Sequence, residues 1–261
     1  MTRVTTTWTA YETTADALGA LAAEGATGAL SGERGIVYLK AGRVVHVESA
    51  FAPDLGALLT RSGAVPPDGW WEAVDRGGAQ HRVGHRLVAG GTLAAGALEV
   101  CHLGALFDAA YFVLAHDTRA QRFRPGAVHW LGAVRSVPVD VVVRECGRRR
   151  ALLDRIWPDP AIDTLPLTRV PGAGTAALPV RRGRTLTQVD GVRTAAQIAS
   201  ALACRTYHTL VELRRLAADG LVRVAAPAAP PMPSGPEPPG VVWDDPDTAL
   251  LRRLRDALEA L

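Results

Sequence analysis

Apolar positions in residues 191–224 recur twice at helical spacing and then alternate. Ala195, Ile198, Ala199 and Leu202 form one stripe, and Leu210, Leu213, Leu216 and Ala217 form a second. Thr194 stands where an N-cap is expected. Ala203-Cys204 makes the turn between the stripes, and Gly220 stops the second helix as a C′ glycine. Residues 221–224 read as a strand. Residues 181–190 (RRGRTLTQVD) supply a preceding helix. The segment therefore predicts the core of a winged helix, a fold that often lays its last helix in the DNA major groove.

The same reading upstream predicts a helix carrying Ala17, Leu18, Leu21 and Ala22, then a hairpin at 29–32 and 35–39 and a third strand at 43–47. Residues 53–115 hold an internal repeat. LGALLTRSGAVPPDGWWEAV, from Leu55, aligns with VGHRLVAGGTLAAGALEV, from Val83. Gly56 matches Gly84, Leu59 matches Leu87, Gly63 matches Gly91, Val65 matches Leu93 and Trp70 matches Leu98. Each copy predicts a helical hairpin around a glycine turn, and two copies packed together bury both apolar faces. The second copy runs on through Phe107, Tyr111, Phe112 and Leu114, and residues 122–126 return as a short strand.

Residues 137–157 predict one helix with Pro138 near its start. Val141, Val142, Leu152 and Ile156 supply its apolar contacts, and Arg148, Arg149 and Arg150 face water. Residues 158–180, rich in Pro, Gly and Thr, predict a loop or linker. A proline-rich linker at 226–243 leads to a tail at 244–261 with Leu250, Leu251, Leu254, Leu258 and Leu261 on one face. A lone helix of that length is marginal in water, so it is expected to dock on its own chain or form a homodimer.

Composition adds limits. Hydrophobic content of 48% and charged content of 21% are those of a globular protein. Net charge is only +3, and Lys40 is the single lysine, so positive charge is nearly all arginine. A GC-rich genome accounts for that bias more readily than phosphate binding does. Cys101, Cys146 and Cys204 are widely spaced, which predicts neither a disulfide framework nor a zinc knuckle and suits a reducing cytoplasm. The N-terminal residues lack an apolar signal-peptide core, and the most apolar run, 103–115, is too short to span a bilayer and carries Asp108. No membrane association is expected.

Candidate chemistry is sparse. His81 and His85 stand four apart, but no third ligand accompanies them, so no metal site is predicted. His46, at the end of an apolar strand, reads as a hydrogen-bonded structural residue. Cys101-His102 are sequence neighbours, which makes no catalytic dyad. Nucleophile elbows and phosphate-binding glycine loops are missing. Neither enzyme activity nor a cofactor is expected.

The stretch LSGERGIVYLKAGRVVHVES resembles the signature of the PATAN (DUF4388) family, with Gly28, Leu30, Gly35, Ile36, Tyr38, Gly42, Val44 and His46 at the matching positions. The paired hairpins, the returning RFRPG and VDVVVRECGRRRALLDRI fit the same order. A winged-helix-like segment is a frequent companion, matched by Asp190, Gly191, Arg193, Thr194, Ile198 and Ala199. The resemblance covers about residues 13–224. It implies an α+β chain: a PATAN-like domain (1–132) of a small antiparallel sheet plus helical hairpins, a connecting helix and linker (133–180), and a winged-helix domain (181–225). It also implies a signalling adaptor with a protein partner and no catalytic residues.

Two readings compete. In the first, the chain is a cytoplasmic transcriptional regulator that binds double-stranded DNA. Arg205, Thr206, His208, Thr209 and Arg215 then lie on the recognition helix, with Glu212 mid-face. Arg193 and Thr194 hold the backbone, Arg181, Arg182 and Arg184 add charge, and Arg223 lies in the wing. In the second, the chain is an adaptor that binds proteins and not DNA; a nucleoid-associated protein of low sequence specificity is a third possibility. The tail yields a test. Leu254→Asp is expected to halve the mass in solution of any dimer the leucine face holds; an unchanged mass removes that role.

Overall fold

Thr13 opens the described chain by accepting the Asp16 amide and capping α1 (Thr14–Ala23). The computed structural model describes residues 13–115, 118–171 and 178–225. The proline-rich linker and the leucine-faced tail lie outside the described residues.

After α1, strands β1 (Gly28–Gly32), β2 (Gly35–Lys40) and β3 (Arg43–Glu48) run antiparallel through tight turns. Helices α2 (Leu55–Arg61), α3 (Pro67–Gly77), α4 (Val83–Ala89) and α5 (Ala95–Val113) follow. Strand β4 (Ala120–Pro125) returns to pair with β1, and β5 (Val137–Pro138) pairs with β3. The sheet order is β4-β1-β2-β3-β5, antiparallel throughout. Helix α6 (Val139–Ile156), a 3-10 turn (Pro160–Asp163), β6 (Leu167–Arg169), α7 (Val180–Thr187), α8 (Ala195–Ala201), α9 (Thr206–Ala218) and β7 (Val222–Val224) complete an α+β architecture. β7 pairs antiparallel with β6, across the three helices between them.

The repeat is real in three dimensions. In the first copy the Val65 amide donates to the Leu59 carbonyl and Gly63 to Thr60; in the second Leu93 donates to Leu87 and Gly91 to Val88. Gly63 and Gly91 both turn the chain at positive φ, +75° and +72°. The matched residues Leu55, Leu59, Val65 and Trp70 meet Val83, Leu87, Leu93 and Leu98 in one apolar cluster. Gly56 lets the Trp70 ring lie on α2: a Cβ there would stand 2.5 Å from the ring.

Two expectations need correcting. On α6 the buried residues are Val139, Val142, Cys146 and Leu153, while Val141 and Leu152 are exposed. Positions 142, 146, 149, 150 and 153 form one stripe at i, i+3 and i+4 spacing, so Arg149 and Arg150 turn inward and only Arg148 faces water. Arg149 pairs with Glu145 and lies over the Tyr207 and Phe107 rings at 4.6 and 5.6 Å. The second correction falls in 158–180, which carries the 3-10 turn and β6.

Gly56→Ala is expected to destabilise the fold by about 1–3 kcal/mol, because the Trp70 ring must move. Gly19→Ala is the control. It fills open space within α1 and is expected to stabilise by about 0.5–1 kcal/mol. Urea unfolding of the two variants checks both signs.

Candidate functional site

Helix α9 begins against α5. Its Thr206 and Tyr207 amides donate to Oδ2 and Oδ1 of Asp108, each at 2.7 Å. These amides would otherwise be orphans of the helix N-terminus. Burial pushes the Asp108 carboxyl up to about 6, against the two amides and the nearby Arg149 and Arg205. Arg205 lies across α5 on the spot a side chain at Gly104 would occupy. Thr206 is fully buried, and so is Thr209, whose hydroxyl sits 3.1 Å from Cys204 Sγ.

The outward face expected for α9 is therefore narrower than the sequence suggested. Thr209 and Glu212 are buried, because α9 is packed on α5, α6, α7 and α8 together. His208 and Arg215 remain exposed on it, as do Arg181 and Arg184 on α7 and Arg223 on β7. Several of the other expected contacts have internal partners. Arg182 pairs with Glu212 and Asp219, Arg193 with Asp190 and Gln188, and Arg215 with Glu212. The Thr194 hydroxyl serves a capping box with Gln197.

Among the described residues, Arg181 and Arg184 make no ion pair. They line a groove of about 410 Å³ between α7 and α9, together with Thr185, Cys204, His208 and Thr209. Burial, then Arg181, Arg205 and Arg149 in that order, hold His208 below the usual imidazole range. The groove is thus positive and has donors for an anion.

Sequence reasoning missed Arg214, which no apolar stripe signals. Its side chain is fully buried, with the guanidinium 2.7 and 3.0 Å from Asp163 Oδ1. It also donates to the Trp157 carbonyl and approaches Asp154 at 3.4 Å. The Tyr111 hydroxyl donates to the other Asp163 oxygen at 2.5 Å.

A second unforeseen cluster surrounds His46. The register of β3 shifts so that Tyr38 pairs with His46 and Leu39 with Val44, leaving Val45 as a bulge. Val44 and Val47 then both enter the apolar cluster, while His46 and Glu48 share the other face. His46 Nδ1 lies 3.3 Å from His102 Nε2 of α5. His129, in the loop after β4, stacks on His46 at 3.9 Å and bonds Glu48 Oε1 through Nε2 at 2.9 Å. Its Nδ1 accepts the Leu131 amide at 3.2 Å. Burial, then the neighbouring His129 and His102, push the His46 imidazole down to about 2. Burial holds His102 down at about 4, with the Val45 backbone opposing. The Val45 backbone does not meet hydrogen-bond geometry with it, and His102 Nδ1 has no partner among the described residues. His46 does have the hydrogen bond expected of it. His81 and His85 are exposed and join no such cluster.

Comparison with protein-family models, curated proteins and solved structures gave no match to this chain.

Asp108→Asn keeps the shape but turns an amino group toward one α9 amide. It is expected to cost about 1–3 kcal/mol in urea unfolding. The pH dependence has a definite sign. Asp108 titrates higher in the folded chain than the ordinary 3.8, so its contribution is full at low pH and is lost as pH rises toward 6 and beyond. Asp108→Asn is expected to lack that loss; identical pH profiles in the two proteins would refute the assignment.

Proposed function

We propose that this chain is a DNA-associated regulatory protein that holds duplex DNA through its phosphates. The observation that carries the reading is the pair Arg181 and Arg184, which line the α7–α9 groove and have no acidic partner among the described residues, whereas the neighbouring Arg182 is paired with Glu212 and Asp219. Two guanidinium groups in one groove, with no carboxylate against them among the described residues, are suited to an external anion. Arg223 is a further exposed guanidinium on β7, and His208 adds a neutral imidazole to the groove. Base reading through the first turn of α9 is not part of this proposal, because Asp108 already takes those amides. Contacts confined to phosphates carry little sequence preference.

A second reading has its own support. Val180 and Val192 are 82% and 75% exposed, and Val180 lines the groove. Exposed apolar side chains beside arginines suit a protein partner, which is the adaptor reading.

Fluorescence anisotropy of the full chain with labelled duplexes across a salt series separates the two. DNA binding predicts affinity that falls steeply with salt and varies little among unrelated sequences. Arg181→Glu with Arg184→Glu is expected to weaken it at least about tenfold and to reduce the salt slope by about 2. Absence of binding at low salt would reject the DNA reading and leave the adaptor.

A further inference from the structure

We propose that His46, Glu48 and His129 form a binding site for a divalent transition metal of the zinc type. None of these residues lines the α7–α9 groove, so the inference is independent of the DNA reading. Two imidazoles and one carboxylate are a ligand set that suits zinc, with bonds of about 2.0–2.2 Å. One nitrogen of each histidine and one Glu48 oxygen lie within 4.8 Å of one another. Ligands on a tetrahedral ion stand about 3.3 Å apart, so closure needs shifts of about 1 Å or less from each side chain.

The three side chains come from rigid supports. His46 and Glu48 are two residues apart on β3, on one face of the strand beyond the bulge. The His129 loop is pinned by Leu131, which is buried and whose carbonyl accepts the Gly84 amide at 3.0 Å. Tyr38 donates to the second Glu48 oxygen at 3.3 Å, fixing the carboxylate. Such outer contacts orient metal ligands.

His102 is the outer partner of His46. With the metal on Nε2 of His46, its Nδ1–H donates to His102 Nε2 at the observed 3.3 Å. His102 then carries its proton on Nδ1, the atom that now lacks a partner and lies beside the Val45 backbone. An acceptor on the second ring nitrogen fixes the tautomer and orientation of a ligating histidine, and His102 supplies that acceptor to His46. His102 is a positioning residue.

His46 and Glu48 also border a cavity of about 240 Å³ lined by Ser49, Asp54 and Leu55. His129 does not line that cavity, and a metal held by the three ligands retains a fourth position for water or a small donor.

One rearrangement is required. His129 now accepts the Leu131 amide on Nδ1 and therefore carries its proton on Nε2, facing Glu48. Metal binding removes the Nε2 proton, and one returns to Nδ1, so the ring stays neutral and the Leu131 bond is lost. The stacked His46 and His129 rings tilt to aim at one point. This tautomer exchange is a signature that a merely structural histidine pair would not give.

The test uses the full chain and zinc ions in competition with a chromophoric chelator. One tight equivalent per chain is expected. It should persist in His81→Ala with His85→Ala, vanish in His129→Gln and Glu48→Gln, and weaken about 10–100-fold in His102→Gln. Glu48→Gln is nearly isosteric, and circular dichroism checks that each variant is folded. Nitrogen NMR of the unaltered chain supplies a second readout: zinc should move the His129 proton from Nε2 to Nδ1. No tight equivalent, binding that survives Glu48→Gln and His129→Gln, loss in the His81 and His85 variant, or an unchanged His129 tautomer would each overturn the proposal.

Discussion

Helix α5 has no polar side, and that constraint organises the chain. Its 19 residues feed all three apolar clusters. Leu106, Ala109, Ala110 and Val113 meet the sheet, α1 and α6. Tyr111 and Phe112 meet the α7–α9 helices, and Leu98 and Ala105 join the repeat. By length and composition α5 could cross a membrane; here most of it is buried in the protein itself, while Ala95, Gly96, Ala97 and Val100 near its start stay exposed. Each large apolar side chain so buried contributes about 1.5–3 kcal/mol. From Ala105 onward the helix is almost wholly buried and requires neighbours all round, and the other elements are the neighbours.

Asp108 is the buried carboxylate of that helix, and it fixes the arrangement. An ionised carboxylate in such a place is costly unless hydrogen-bonded. The α9 amides satisfy it, so the charge and the helix end answer each other's deficit. Arg214 and Asp163 do the same farther along α9. Neither pair need add much net stability, since removing two charges from water offsets their attraction. What they specify is where α9 sits. An apolar interface tolerates sliding, whereas two amides on two oxygens do not.

Periodic features were legible in the sequence, and those that depend on tertiary neighbours were not. The three strands, the repeat with its paired glycines, the Thr194 cap and the Gly220 stop follow from local spacing and local backbone chemistry. The strip of α9 left to solvent does not. Thr209 and Glu212 look like outward positions, and only the packing of α9 against α5, α6, α7 and α8 encloses them. Arg149 and Arg150 read as solvated cations, and Arg214 gave no signal, because the rings over the first two and the Asp163 carboxylate beside the third lie far away in sequence. The histidine cluster was hidden for a related reason. His46, His102 and His129 come from a strand, a helix and a loop, and the bulge at Val45 that turns His46 aside leaves no mark in an apolar run.

The return of β4 to β1 also bears on the order of assembly. Gly28 pairs with Pro125, so the sheet closes around the whole repeat. Closing so long a loop of unfolded chain is entropically costly, while helical hairpins form from near neighbours. The least costly route builds the two hairpins first and lets them deliver β4 to its edge. Lesions in the repeat should then slow folding, while lesions in β4 should mainly hasten unfolding. The duplicated segment would serve as the internal template on which a discontinuous sheet is completed.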